Sequence, residues 1–556
     1  MGASQIPSKF HLSHQEHHKP SQAPTPTRAD SNIEKDITTI DDSPVPLLTW
    51  RTSLLGIVAS MGGFIFGYST AQISGFTTME DFLLRFGQVH HETGEHYFSN
   101  VRNGLIVGLL SIGTMVGCLL AAPISERTGR KISITFWCVI HMVGIIVEMS
   151  SATKWYQVAV GRLVAGLGVG GLSTIVPMYQ SEAAPVKVRA AIVSMFQLFV
   201  TFGIFISYIV NYGTERIHST ASWRITMGIG FAWALILGLG IMFVPESPRF
   251  LYRQGKIEEA RQVMAKLAGV PPNHRQIVLE MQEMKEKLDE EKAAGKAPWY
   301  EVFTGPAMFW RTTLGMVLQS LQQLTGANFI FFYGNTIFYA TGLENSYETQ
   351  IIMGTVNFAM SIVSLWVVQR FRRRPILIIG GIAMFICFLI FASVGHFSLD
   401  HENPQNTPKA GTALIVFSCF FIAAYAVSWG PLIWAICGEL FPSKYRGVCV
   451  SLSTASNWTW NFLLCFFTPF ISSAIDYRYG YVFGACCAAG SIITYFFVNE
   501  SYGRTLEEID TMYVMHVKPW QSKNWVAPPA IRDGENRVPG LESHEATPAH
   551  SSTEAL

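Results

Sequence analysis

Charge is what this sequence has little of. Only 14% of its 556 residues are Asp, Glu, Lys or Arg, while 49% are hydrophobic and 38 are Phe; soluble domains carry about a quarter charged residues. The deficit excludes an ordinary water-facing globule and points to lipid as the solvent, because a bilayer core about 30 Å thick penalises every charge left inside it. A net charge of +1 gives no reason to expect nucleic acid as a partner. Hydrophilic-loop cysteines are missing too. All nine cysteines lie in or beside apolar runs, without a disulfide framework or metal-ligand spacing, and the neighbours Cys486 and Cys487 read as small packing residues. Residues 1–46 lack the apolar segment of a signal peptide. Rich in Pro, Ser, Thr, Asp and His, they are expected to form a disordered tail in which His11, His14, His17 and His18 are solvated rather than metal-bound. The loops hold no His/Asp/Ser constellation, metal cluster or phosphate-cradling turn, so neither an enzyme nor a cofactor is expected.

Long apolar runs, by contrast, are abundant. Twelve candidate helices lie near 51–71, 101–123, 132–150, 155–178, 190–212, 223–244, 311–340, 351–369, 375–396, 411–438, 448–472 and 480–498. A soluble core could hide one such helix but not twelve. Cations gather in alternate short loops: Arg127, Arg130 and Lys131; Lys187 and Arg189; Arg370, Arg372, Arg373 and Arg374; Lys444 and Arg446. The intervening loops are longer and hold few, an asymmetry that places both termini in the cytoplasm. The sequon Asn457-Trp458-Thr459 falls inside a span and is read as unused.

The stretch 245–310 is different in kind. Apolar residues recur at helical spacing among charged ones, as at Ile257, Ala260, Val263, Met264 and Leu267, which predicts short amphipathic helices on the cytoplasmic face. On either side the sequence repeats itself: PISERTGRK follows span two and YQSEAAPVKVR span four, while QRFRRRP follows span eight and ELFPSKYR span ten. Glu182 and Arg189 recur as Glu439 and Arg446 at one common offset. The expected fold is an all-α membrane protein of twelve transmembrane helices in two six-helix halves, 47–244 and 311–500, joined by the helical linker 245–310 and flanked by cytoplasmic tails 1–46 and 501–556.

At this point the residues resemble the sugar porter family of the major facilitator superfamily, specifically its fungal hexose transporters. The likeness covers about 50–510 and is carried by GGFIFGYSTAQISG (62–75), SERTGRK (125–131), GRLVAGLGVGG (161–171), PMYQSEAAPVKVR (177–189), PESPRFL (245–251), QQLTGAN (322–328), GPLIWAICGELFPSKYRG (430–447) and GRTLEEID (503–510). The resemblance implies the major facilitator fold and an alternating-access carrier of a hexose, glucose first, in the plasma membrane. Its site is then expected near the bilayer midplane between two rocking halves.

A neutral hexose needs replacement hydrogen bonds for a ring of hydroxyls, and carboxamides both donate and accept. An uncompensated buried polar group costs about 1–3 kcal/mol, so several amides must converge. Gln197, Gln322, Gln323, Asn328, Asn357, Asn457 and Asn461 all stand within apolar stretches, where amides are costly unless they face a cavity. The alternative is that they are interhelical hydrogen-bonding glue. Family resemblance places Gln197, Gln322, Gln323, Asn328, Asn357 and Trp434 on sugar-contacting positions and Asn457 and Asn461 near them. Trp434 reads as a ring against the sugar, or else as core packing; Phe332 and Tyr333 resemble the family's outer gate, with Gly430 and Pro431 as a weak point in span ten.

The resemblance also frames the energetics. Ser69 stands where many family members carry the Asp that serves proton-coupled relatives, although the matching Arg162 is present. A hydroxyl cannot run a proton cycle, so facilitated diffusion is expected, with proton symport as the alternative. Glu126, Arg127, Arg130, Glu182, Arg189, Glu439 and Arg446 resemble a charged latch tying helix ends together on the cytoplasmic side, or they only set topology. The resemblance also sets Arg372 and Gln369 where the family usually has Gly and Asp, which predicts a weaker or rewired latch in the second half. A transporter-like glucose sensor is the remaining rival; the short polar tail after 510 favours transport.

Overall fold

The computed structural model describes residues 41–526 apart from 42, 45, 47, 90–93, 95, 295–299, 306–307, 340–345, 401–406, 443–444 and 505. Most of the two expected tails, and Lys444, lie outside the described residues.

Among the described residues, ten helical stretches are long and apolar enough to cross a bilayer. Spans one to six are Trp50–Phe76, Asn100–Thr128, Arg130–Met149, Trp155–Ala183, Val186–Thr214 and Ala221–Gly240. Spans eight and nine are Ser346–Arg370 and Arg373–Phe397, and span ten is Pro408–Leu440. The stretch Arg446–Phe497 carries spans eleven (Arg446–Ile475) and twelve (Tyr479–Phe497), separated by the turn Asp476–Arg478. Span seven completes the twelve, and it is broken into Met308–Leu324 and Ala327–Tyr339, each too short to count alone. The break is at Gly326, whose φ of +85° favours glycine and where a Cβ would come within 2.7 Å of the Phe483 ring. Span ten breaks at Ser428 (φ −117°, ψ −87°), two residues before the expected weak point. Pro431 is therefore the third residue of the helix Trp429–Leu440, where its missing N–H leaves no intrahelical bond unmade.

Span four packs on spans two and three, span one on five and span three on six; in the other half nine packs on twelve and ten, seven on eleven, and eight on ten. Two large interfaces join the halves, two with eleven and five with eight. Shifting each span number by six turns one interface into the other, as a twofold repeat requires. Between spans two and four the approach is backbone to backbone. A Cβ on Gly166 would lie 2.3 Å from the Leu110 carbonyl oxygen, and one on Gly170 2.1 Å from that of Thr114. Lipid tails are as apolar as any side chain, so such close packing, rather than expulsion of water, holds the spans together.

Between the halves run short helices, Pro248–Arg253, Ile257–Ala268 and Arg275–Ala294. In Ile257–Ala268 the residues Ala260, Met264, Ala265 and Leu267 are buried while Glu258, Glu259 and Lys266 face outward. The Thr49 and Thr52 hydroxyls each donate to the Leu267 carbonyl at 2.8 Å, fastening this linker to the start of span one. The end of the bundle it covers is the linker end; the opposite one is the far end. There the helix Glu80–Phe86 caps the first half. Burial pushes the Asp81 carboxyl up, but hydrogen bonds from Arg85 and from Trp223 Nε1 (3.0 Å) outweigh it and hold the group below the usual carboxylate range.

Candidate functional site

The helix breaks bring carboxamides together. Gln322 Nε2 donates to the carbonyls of Trp429 (3.0 Å) and Gly430 (2.8 Å), just past the break in span ten. Its Oε1 accepts from Asn457 Nδ2 at 2.8 Å, which also reaches Gln319 Oε1 at 2.7 Å. Gln323 Nε2 donates to Asn457 Oδ1 at 2.8 Å, and its Oε1 accepts from Asn328 Nδ2 and, at 3.1 Å, from Asn461 Nδ2. Five of the amides singled out in the sequence thus form one network on spans seven and eleven. Gln319 is a sixth that the sequence reading missed, although it sits in the same apolar stretch one turn earlier and obeys the same rule.

Gln197 and Asn357 stand apart from this network, on spans five and eight, which pack together on the other side of the bundle. Asn357 is buried and Gln197 half-buried. Trp434 lies one turn beyond Gly430 on the same helix face and is 39% exposed, so in this conformation it covers nothing. Phe332 and Tyr333 are buried, the Tyr333 hydroxyl donating to the Cys465 carbonyl at 2.5 Å.

Hydrogen bonds between the halves cluster toward the far end. Ser111 Oγ donates to Asn461 Oδ1 at 2.5 Å, Tyr347 to the Gly75 carbonyl at 3.0 Å, Asn100 Nδ2 to Ser473 Oγ at 3.0 Å, and Gln350 to Ser74. Toward the linker end Trp434 and Thr459 are exposed. The network therefore sits beneath a closed far end, and Asn461 ties it to the other half through Ser111. Ser111→Ala would strip this acceptor of its hydroxyl partner at a cost of about 1–2 kcal/mol. The expected result is faster hydrogen exchange in 100–108 and 459–466, roughly tenfold for that energy; unchanged exchange would mean that the hydroxyl does not help close the far end.

On span one, Ser69 Oγ lies 3.3 Å from His141 Nε2, whose Nδ1 lies 3.0 Å from the Ala165 carbonyl. Arg162 is buried with Phe76 beneath its guanidinium, 6.0 Å from the ring centre.

The charged groups at the linker end pair inside each half. Arg130 Nε lies 2.9 Å from Glu182, and Glu246 accepts from the Arg130 backbone N–H at 3.1 Å. In the second half Glu439 pairs with Arg373, and Glu500 accepts from the Arg373 N–H at 3.1 Å. Arg446 donates to the Phe441 carbonyl, and Arg189 to that of Ala184. Glu126 and Arg127 are exposed. Glu246, Arg373 and Glu500 take part in these pairings and were not singled out in the sequence. The signal was present, since an acidic residue followed by Ser closes both spans six and twelve, in PES and NES.

These features define a membrane carrier of the major facilitator type, with two six-helix halves and a polar site where they meet. The profile of the family described as "Sugar (and other) transporter" matches residues 55–513, and the chain belongs to that family; it is a transporter and not an enzyme. It is 45% identical over 478 residues to a low-affinity glucose transporter of Saccharomyces cerevisiae, covering 85% of this chain and 84% of that one. A high-affinity glucose transporter of Schizosaccharomyces pombe is 42% identical over 475 residues, covering 85% and 89%. Among solved structures, the xylose transporter of E. coli in a partially occluded inward-open conformation superposes with a TM-score of 0.68 at 25% identity, covering 82% of this chain and 100% of that one.

Proposed function

We propose that the protein carries a neutral hexose, glucose foremost, across the plasma membrane by alternating access. One observation carries this reading: Gln322, Gln323, Asn328, Asn457 and Asn461 converge where the halves meet. Without sugar they satisfy one another, and a polyol can take over those bonds without leaving any amide unpaired. The names of the relatives point to glucose. Trp434 and the buried pair Gln197 and Asn357 complete the site when the halves close around the sugar, and Phe332 and Tyr333 gate its far side. The loop cations favour cytoplasmic termini, so the far end faces outward and the present conformation opens to the cytoplasm. The Arg130–Glu182 and Arg373–Glu439 pairs hold helix ends within each half as it rocks.

Uptake of labelled glucose in a cell lacking its own hexose carriers tests the proposal. Saturable uptake, competed by other hexoses, is expected. Glucose binding without flux would favour a sensor, and neither binding nor flux would end the hexose reading. Ser69 by itself supports downhill flux, since span one then offers no proton acceptor.

A further inference from the structure

The chain after span twelve folds back to the membrane border. Its helix Leu506–Val514 docks at the linker end, where Asp510 pairs with Arg311 at the start of span seven. Arg504 gathers the segment that returns from this helix, donating to the carbonyls of Ser522 and Trp525 at 2.8 Å each. Ser522 is buried, and its hydroxyl accepts from the Glu500 N–H at 3.0 Å. The return sets Trp520 against Tyr495 in the last turn of span twelve, the two rings 14° from parallel at 6.3 Å, and Phe496 meets the same indole edge-on. Tyr495 and Phe496 are 44% and 48% exposed, and because they belong to a span, what they face is lipid. Indole and phenol rings settle at the level of the headgroups, where an apolar body and a polar tip are both satisfied. Trp520, stacked on one of them, stands at that level too.

Beside these rings the segment presents hydrogen-bond donors. His516, Lys518, Gln521, Asn524 and Trp525 line an open depression of about 450 Å³, and Lys518 Nζ lies over the Trp520 ring, 5.8 Å from its centre. Among the described residues no carboxylate lines this depression. Carboxylates elsewhere on the linker end are engaged within the protein: Asp510 with Arg311, Glu439 with Arg373, and Glu500 with the N–H groups of Arg373 and Tyr502. Lys518 and Lys523 are exposed. We propose that the depression holds the phosphate headgroup of an anionic phospholipid from the leaflet at the linker end. Lys518 supplies the opposite charge, and the amides of Gln521 and Asn524 supply N–H donors to the phosphate oxygens. Donors with a net positive charge select an anion, and the lipid-facing rings of Tyr495, Phe496 and Trp520 select one that carries acyl chains. The headgroup is then tied to helix ends of the second half through Glu500, which binds the first turn of span nine with its carboxylate and Ser522 with its backbone.

The test uses the full chain, purified and reconstituted in vesicles of phosphatidylcholine with increasing phosphatidylglycerol, one or the other lipid carrying bromine on its acyl chains. Bromine quenches nearby indoles, and the part of the quenching that disappears in Trp520→Phe reports this site. Brominated phosphatidylglycerol should quench Trp520 at a several-fold lower mole fraction than brominated phosphatidylcholine. Lys518→Gln should weaken that preference roughly fivefold, the factor that one cation beside an anionic leaflet is worth. Lys518→Gln combined with Asn524→Leu should remove it with helix content unchanged. Equal quenching of Trp520 by the two lipids, or a preference that survives the double variant, would overturn the proposal. Displacement of the brominated lipid by soluble glycerol 3-phosphate would overturn it as well, since the ligand would then be a free phosphate ester. If Trp520→Phe does not fold, native mass spectrometry of the phosphatidylglycerol kept through detergent extraction decides instead: less retained by Lys518→Gln than by the wild type supports the site, and equal retention overturns it.

Discussion

Gln322→Ala is expected to lower hexose uptake on the order of a hundredfold while the protein still inserts and folds. The side chain makes two bonds to the carbonyls of Trp429 and Gly430 and receives one from Asn457. A net hydrogen bond is worth about 1 kcal/mol, and a buried polar group left without a partner costs about 1–3 kcal/mol. Losing one sugar contact and the alignment of Asn457 together comes to about 3 kcal/mol, or roughly two powers of ten. Adding Asn328→Ala, which removes the donor to Gln323, should abolish uptake. Counterflow rates normalised to the amount of folded protein provide the measurement. If affinity and flux persist in the double variant, the amide network is glue between helices and the sugar binds elsewhere.

The largest effect on stability is expected from Gly170→Ala. Its new Cβ would sit 2.1 Å from the Thr114 carbonyl oxygen, and because that atom is backbone, only a separation of spans two and four relieves the clash. Overpacking on this scale belongs with the mutations that cost about 4–5 kcal/mol, a large part of a total stability of roughly 5–15 kcal/mol. Monodisperse protein after extraction should be nearly lost. Gly438→Ala is the matched control: a Cβ there meets nothing within 4 Å, and alanine is the better helix former by about 0.5–1 kcal/mol. Equal yields from the two variants would show that the close approach of spans two and four is dispensable.

The surroundings of Ser69 and Arg162 show how far a motif reading reaches. Ser69 was recognisable as a departure because it stands inside a motif, next to residues that fix its alignment. Glu148, a buried carboxylate in the last turn of span three that packs on Gly161, stands 14 residues before Arg162 in sequence, at the other end of a loop between two antiparallel helices. Its neighbourhood depends on how deeply spans three and four overlap, which Gly161 decides by letting the helices touch. Arg373 was visible only as one of four loop cations; its selection by Glu439 depends on where span nine begins, since the Arg373 N–H must also reach Glu500.

The sequence by itself determined the solvent, the number of spans, the internal repeat and the amides that lipid would reject, because each follows from composition or from periodicity along a single helix. Only the tertiary structure decided which amides bond to one another, which end of the bundle is shut and which glutamate packs on Gly161 beside Arg162. Those outcomes depend on the rotation and depth of each helix against its neighbours. Helix packing without a hydrophobic drive sets both through backbone contacts at particular glycines and breaks, and those contacts join residues far apart in the chain.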